Sequence, residues 1–453
     1  MTLKIPAPTL TALRDQLVQD DGNERFAYLF CNSSGDDLLA PSFEPIPDAD
    51  LEVMDAGACR PKADLERDRI VACFDADKIP VMVHSHPFSE RPGFSGIDVA
   101  TMDEYRDWLT GLFPGKTFGF GVIGGAGLQT TLYRPTKEGF EDLPVDVLGD
   151  WMLEQDWQYT SESDVPAVGR ERYDRNIRAL TDAGQARLAD THVAIVGCGG
   201  IGSLLAEELA RLGVHRFTLI DSDVVEESNL PRLYGAFDFH IGRPKVEVLE
   251  EHLWHINQEV EVHVVQKPVE EASDKLLNVD VILAGVDAVS ARMWLNEFAV
   301  KHLLAYIDAG VVIEKDGEAV SEMHGFVQTI VPGVTGCFDC LDRGDPDRAR
   351  LEQLDAHELE EQVERGYVDE TVLSPEPAVI HLNSTAGSLA VNEFVKLVTG
   401  LDDPIGFIRY EGMDYDLVPM ATMPSEECPT CSKVLGRGEP TEVEDDPLEE
   451  VPV

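Results

Sequence analysis

In its first third the chain alternates short apolar runs with polar turns. "RFAYLFC" (25–31), "IPVMVHSH" (79–86), "GFGVIG" (119–124) and "LQTTLYR" (128–134) read as strands, rich in β-branched and aromatic residues. "DVATMDEYRDWLTGLF" (98–113) spaces its apolar residues by three and four and reads as a helix. Residues 1–138 thus predict an α+β domain, and the mixed polar stretch 139–168 a linker. From 169 the pattern changes. "HVAIVG", "FTLID", "EVHVV" and "DVILAGVD" are strand-like and alternate with the amphipathic segments "SLLAEELARLG" and "RPKVEVLEEHLWHIN". This alternation predicts an α/β, Rossmann-like doubly wound domain over 169–437. "DRARLEQLDAHELEEQVERG" (347–366) predicts a charged helical or mobile insertion, and the acidic residues 438–453 a disordered tail.

Charge adds a constraint. Asp plus Glu number 85 against 36 Lys plus Arg, a formal charge of −49. Such a surface disfavours nucleic acid and anionic membranes as partners. It repels itself in dilute buffer and is screened in concentrated salt, which suggests a salt-adapted cytoplasm. The chain has no run of 18 apolar residues and no signal-peptide core at its start, so it is expected to be soluble and cytoplasmic.

"VHSHPFSERPGFSGID" carries candidate chemistry. His84 and His86 on an extended segment project to one face, and Asp98 on the following helix can complete a three-ligand metal set. A metal there would hold a water of lowered pKa, and Glu24, just ahead of an apolar strand, is the candidate general base. Taken alone, the histidine pair fits a zinc hydrolase or an incidental polar turn. Glu24, "HSHP" and "FSGID" together resemble the JAMM/JAB motif of MPN-domain zinc metalloproteases, a likeness covering most of residues 5–138. The resemblance implies that His84, His86 and Asp98 bind catalytic Zn2+, that Glu24 activates water, and that Ser95 hydrogen-bonds the tetrahedral oxyanion. One departure stands out: eight residues separate His86 from Ser95, where seven is usual.

"VAIVGCGGIGS" sets Gly197, Gly199 and Gly202 in G-x-G-x-x-G between a strand and a helix, with Asp221 ending the next strand. By itself this suits an NAD dehydrogenase equally well. The residues that follow, Asp223, Asn229, Arg232 and Lys245, suit attack of a carboxylate on the α-phosphate of ATP, where cations offset phosphoryl charge and oxygen ligands hold Mg2+. Asp287, ending another strand-like run, is a candidate Mg2+ ligand. From "RERYDRNIRAL" to "CPTC" the chain resembles the ThiF/MoeB-type activating enzymes. That likeness implies that Gly200 and its loop hold the ATP phosphates, Asp221 the ribose, and Asn229, Arg232 and Lys245 the phosphates. Arg175 matches an arginine that reaches the partner subunit's site, which implies a homodimer. Asn176 and Leu233 stand where the family has Gln.

Cys337/Cys340 and Cys428/Cys431 form two CxxC pairs, which argue for zinc in a reducing compartment, with a redox role as the alternative. They match the family's structural zinc positions. No Cys lies between 341 and 427, where related enzymes carry a thioester cysteine. The two resemblances together imply adenylation of a ubiquitin-like or sulfur-carrier protein at its Gly-Gly carboxylate, with cleavage after the same tail. The rival readings are sulfur-carrier activation for cofactor or cysteine synthesis, and a first domain that only binds the modifier.

Overall fold

The computed structural model describes residues 1–137, 139–153, 158–159, 171–317, 319–352, 354, 356–365 and 377–439. They fall into two compact units, 1–162 with 436–453, and 163–435.

In the first unit one mixed sheet runs in the order Phe140–Asp142, Gly127–Tyr133, Phe118–Gly124, Ile79–Ser85, Phe26–Ser34, Asp37–Leu39, Leu3–Pro6 and Val145–Leu148. Its central strands are apolar at successive positions because both faces are covered. On Ile79–Ser85, Val81 and Val83 pack in one core with Leu10, Leu13 and Leu17 of the helix Ala7–Leu17. Met82 points the other way, into a core with Tyr28 and with Met102 and Leu109 of the helix Gly96–Leu112.

The expected linker starts too early. Phe140–Asp142 pairs antiparallel with Gly127–Tyr133, and Val145–Leu148 pairs parallel with Leu3–Pro6. Acidic residues and Pro144 disguise the alternation of Leu143, Val145 and Val147, all three buried. The expected boundary at 437 also shifts, because Gly436 onward belongs to the first unit: the Gly436 carbonyl accepts from Asn32 Nδ2 at 2.7 Å. The remainder of the expected linker (154–157, 160–168) and most of the tail (440–453) lie outside the described residues.

In the second unit the sheet order is Glu261–Val265, Arg216–Ile220, His192–Val196, Val281–Ala284, Ala305–Asp316, Ala319–Ile330, Phe407–Glu411 and Asp416–Met420. The first five strands are parallel and the rest antiparallel. The strand order reverses between His192–Val196 and Val281–Ala284, and the crevice at the carboxyl ends of these strands is where such sheets receive ligands. The helix Gly200–Leu212 starts there and ends on Gly213 at φ +105°. Across it lies the helix Ile380–Thr399, so close that a Cβ on Gly387 would stand 2.6 Å from Leu204. The charged insertion contains the helices Pro346–Glu352 and Ala356–Glu364.

Candidate functional site

In the first unit the antiparallel register pairs Phe26 with His84, and Arg25 and Ser85 extend it by two hydrogen bonds: Arg25 N–H to Ser85 Oγ at 2.9 Å and Ser85 N–H to the Arg25 carbonyl at 3.0 Å. Glu24 is thereby carried alongside His86. Ser85 is fully buried, so the period of two turns both histidines to the opposite face. Asp98 arrives from the helix Gly96–Leu112 through a reciprocal cap. Ser95 Oγ accepts from the Asp98 N–H at 3.2 Å, and Asp98 Oδ2 accepts from the Ser95 N–H at 2.5 Å. The Ser95 hydroxyl proton is not used by this cap.

The four side chains converge. His84 Nε2 lies 3.3 Å from His86 Nε2 and 3.2 Å from Asp98 Oδ1; His86 Nε2 lies 3.5 Å from Asp98 Oδ2 and 3.7 Å from Glu24 Oε1. Tetrahedral zinc with bonds of 2.0–2.1 Å needs ligand atoms about 3.3 Å apart; the two histidines stand at that spacing, a different Asp98 oxygen faces each of them, and Glu24 also lies close enough to both to share an ion. Burial pushes the Glu24 carboxyl up to about 7, His84 opposing and Asp98 and Asp55 adding to the shift. Burial, with His84 adding, lowers the His86 pKa and favours the neutral ring that a metal requires. Burial would raise the Asp98 pKa, but hydrogen bonds from His84 and Ser95 overcome it and hold the carboxyl far below its usual range.

The longer loop between His86 and Ser95 does not spread these ligands. Its backbone is tied to the turn after Phe118–Gly124, Gly125 N–H to the Ser89 carbonyl at 3.0 Å and Ala126 N–H to the Glu90 carbonyl at 2.8 Å. Phe88, left 64% exposed, stacks its ring on His86 at 5.4 Å.

In the second unit the crevice is shaped by missing side chains. Gly197 is left-handed at φ +80° and lies against Gly285. A Cβ on Gly202 would stand 1.8 Å from the Gly197 carbonyl oxygen, so only glycine lets the helix approach the strand end. A Cβ on Gly199 would meet nothing within 4 Å, which leaves open space at the helix N-terminus. Asp221 holds the loop: its carboxylate accepts from Cys198 N–H at 2.7 Å and Asp223 N–H at 2.8 Å. Burial raises the Asp221 pKa, with Lys245 opposing.

Lys245 Nζ pairs with Asp223 at 2.8 Å. Burial works against its charge, but Asp221, Asp223 and Asp287 outweigh burial and hold its pKa above the usual value. Asp287, exposed just past Val281–Ala284, thus shares the same electrostatic field. Asn229 is buried, its Oδ1 accepting from Glu226 N–H at 3.2 Å. Arg232 donates to the Ser228 carbonyl at 2.7 Å and lays its stem against Gly200. Arg175 is exposed on the helix Asp174–Asp190. His240 and His252 have structural partners, Phe237 N–H and Glu207.

Sequence reasoning passed over Asn383, which presses on Gly200 from the helix Ile380–Thr399. The small residues Ala386 and Gly387, which permit the close crossing, were the available signal.

The four cysteines form a compact knot. Sγ separations are 3.7 Å for Cys337–Cys340, 3.6 Å for Cys337–Cys428 and 3.5 Å for Cys340–Cys431. Zinc–sulfur bonds of 2.3 Å require about 3.8 Å between thiolates, so the set fits a closed tetrahedral ion. Hydrogen bonds from the other cysteines, Cys431 first, lower the Cys337 pKa. Ser425 N–H points at Cys340 Sγ at 3.4 Å, the outer-shell support a thiolate site uses. A further group, Glu322, His324 and Glu411, has Arg409 bonded to all three and is an ion-pair cluster.

No helix among the described residues is long and apolar enough to cross a membrane. Over 273 residues the chain is 30% identical to the SAMP-activating enzyme E1 of Haloferax volcanii, covering 59% of this chain and 90% of that protein. It is 31% identical over 270 residues to the molybdopterin-synthase adenylyltransferase of Escherichia coli, covering 58% and 96%. It is 30% identical over 256 residues to ubiquitin-like modifier-activating enzyme 5 of Drosophila mojavensis, covering 53% of this chain and 59% of that protein. Residues 173–433, over half the chain, match the ThiF family model, and the chain belongs to the ThiF family.

Proposed function

We propose that the chain joins two activities on one class of substrate. The second unit adenylates the C-terminal Gly-Gly carboxylate of a ubiquitin-like or sulfur-carrier protein, and the first cleaves the peptide or isopeptide bond after that tail. The glycine loop at the switch point, with the Lys245–Asp223 pair beside it, carries the adenylation reading. A carboxylate oxygen attacks the α-phosphorus of ATP, the bond from that phosphorus to the bridging oxygen breaks, and pyrophosphate leaves. Loop N–H groups, Asn229, Arg232 and Lys245 hold the phosphates, and Asp221 the ribose. Asp287 and Asp223 offer oxygens to Mg2+, which supplies charge neutralisation. The relatives named SAMP-activating and ubiquitin-like modifier-activating enzymes support this substrate class. No cysteine between 341 and 427 is available as a thioester carrier, so the product is the acyl-adenylate.

The convergence of His84, His86 and Asp98 carries the reading of the first unit as a JAMM-type MPN peptidase. A zinc ion held by these residues would supply a Lewis acid. Glu24 would take a proton from a water whose oxygen adds to the scissile carbonyl carbon, the Ser95 hydroxyl would donate to the developing oxyanion, and Glu24 would return the proton to the amine as the C–N bond breaks. The four cysteines hold a structural zinc. Arg175 reaches the nucleotide site of a second copy in a homodimer, and the charge of −49 fits a salt-rich cytoplasm.

A second reading, sulfur-carrier activation for cofactor synthesis with the first unit as a modifier-binding module, draws on the 96% coverage of the molybdopterin-synthase adenylyltransferase. ATP–pyrophosphate exchange with Gly-Gly-tailed β-grasp proteins tests adenylation, and its absence with all of them overturns it. Chelator-sensitive cleavage of a Gly-Gly fusion separates the two readings: cleavage supports the peptidase, and binding without cleavage supports the module. Melting temperature against KCl tests salt adaptation, which stability that is flat or falls with salt would refute.

A further inference from the structure

Asn383 is only 3% exposed, yet among the described residues its Oδ1 has no hydrogen-bond partner. A buried acceptor without a donor is costly to keep, so its persistence calls for a use. The side chain is aimed at the nucleotide loop: its Nδ2 stands 2.4 Å from where a Cβ on Gly200 would be, and the Arg232 stem lies 3.3 Å from the same point. Its position is held rigidly. The next residue, Ser384, bonds Tyr234 through the two hydroxyls at 3.0 Å, and Tyr234 N–H donates to Ser203 Oγ at 3.1 Å. The first turn of the helix Ile380–Thr399 is thus tied to the helix Gly200–Leu212.

An orphan acceptor selects a donor. The triphosphate offers only acceptor oxygens, and the ribose hydroxyls belong with Asp221 at the end of a different strand. A peptide C-terminus approaching the α-phosphate brings one donor of its own, the amide N–H of its last residue. We propose that Asn383 is a positioning residue for the acyl substrate, with Oδ1 accepting that N–H and so aiming the carboxylate at the α-phosphorus. The inference rests on the reading that this unit adenylates a peptide carboxylate, and it adds a requirement: a last residue with a free amide N–H.

The test uses the full chain in ATP–pyrophosphate exchange with two semisynthetic β-grasp proteins, one ending in Gly-Gly and one with N-methylglycine last. The unsubstituted protein is expected to prefer the Gly-ended probe by about tenfold or more in kcat/KM. Asn383→Leu, and Asn383→Ala as a second variant, are expected to raise KM for the Gly-ended probe, leave KM for ATP unchanged, and bring the preference close to unity. No exchange in the unsubstituted protein overturns the adenylation reading itself. Exchange in which the variants keep the preference, or raise KM for ATP instead, overturns the role of Asn383 alone and assigns its acceptor to the nucleotide or its hydrated metal.

Discussion

The two candidate sites are built in opposite ways. In the first unit four side chains from three elements crowd to a point, at separations of 3.2–3.7 Å, and the backbone serves only to deliver them. In the second, the loop at the strand end is defined by side chains that are absent: Gly202 lets the helix close on Gly197, Gly199 leaves open space at the helix N-terminus, and Asp221 braces the loop by accepting two of its N–H groups. A site of convergent side chains is brittle toward loss of any one group. A site of exposed backbone is brittle toward addition of any group.

Substitutions can break this contrast. The cysteine knot is the extreme of side-chain construction, so Cys340→Ser or prolonged chelation should cost the second unit about 5 kcal/mol or more, read by calorimetry with zinc content. An unchanged melting transition would remove zinc from the account. Next, Glu24→Gln should retain zinc yet lower cleavage by about 10²–10⁴, with pyrophosphate exchange untouched. Lys245→Ala should lower exchange by about 10²–10³ and spare cleavage, and parallel loss of both would mean the activities are not separate. The sharpest test of backbone construction is a pair. Gly202→Ala should destabilise by about 1–3 kcal/mol, whereas Gly199→Ala should change stability by less than about 0.5 kcal/mol and still weaken ATP binding. Equal effects on stability would deny the distinction. Smallest is Ser95→Ala, expected to cost about 1 kcal/mol through the lost helix cap, plus a fall in cleavage rate at unchanged zinc content.

The same contrast explains what was legible. Missing side chains appear in the sequence as spaced glycines, so the nucleotide loop could be read without the fold. The histidine pair was readable from its period of two, but Glu24 comes from a distant strand and only the register of Phe26 with His84 brings it close. Asp98 was legible as a candidate ligand, and the spacing Ser95-x-x-Asp98 that suggested it is also that of a reciprocal helix cap, which the structure forms. The hidden strands at 140–148 had their apolar alternation diluted by acidic residues, a general hazard in a chain this anionic. Asn383 escaped because an acceptor left unpaired among the described residues is visible only once their packing is known.

The return of residues 436–439 to the first unit governs the order in which the chain can mature. A Cβ on Gly438 would come within 2.1 Å of the Ser33 carbonyl, so these residues lie directly on the strand Phe26–Ser34, made long before them. Domains emerging from a ribosome usually finish in order from the N-terminus. Here the first of the two units receives residues 436–439 only after the whole of the second has been made.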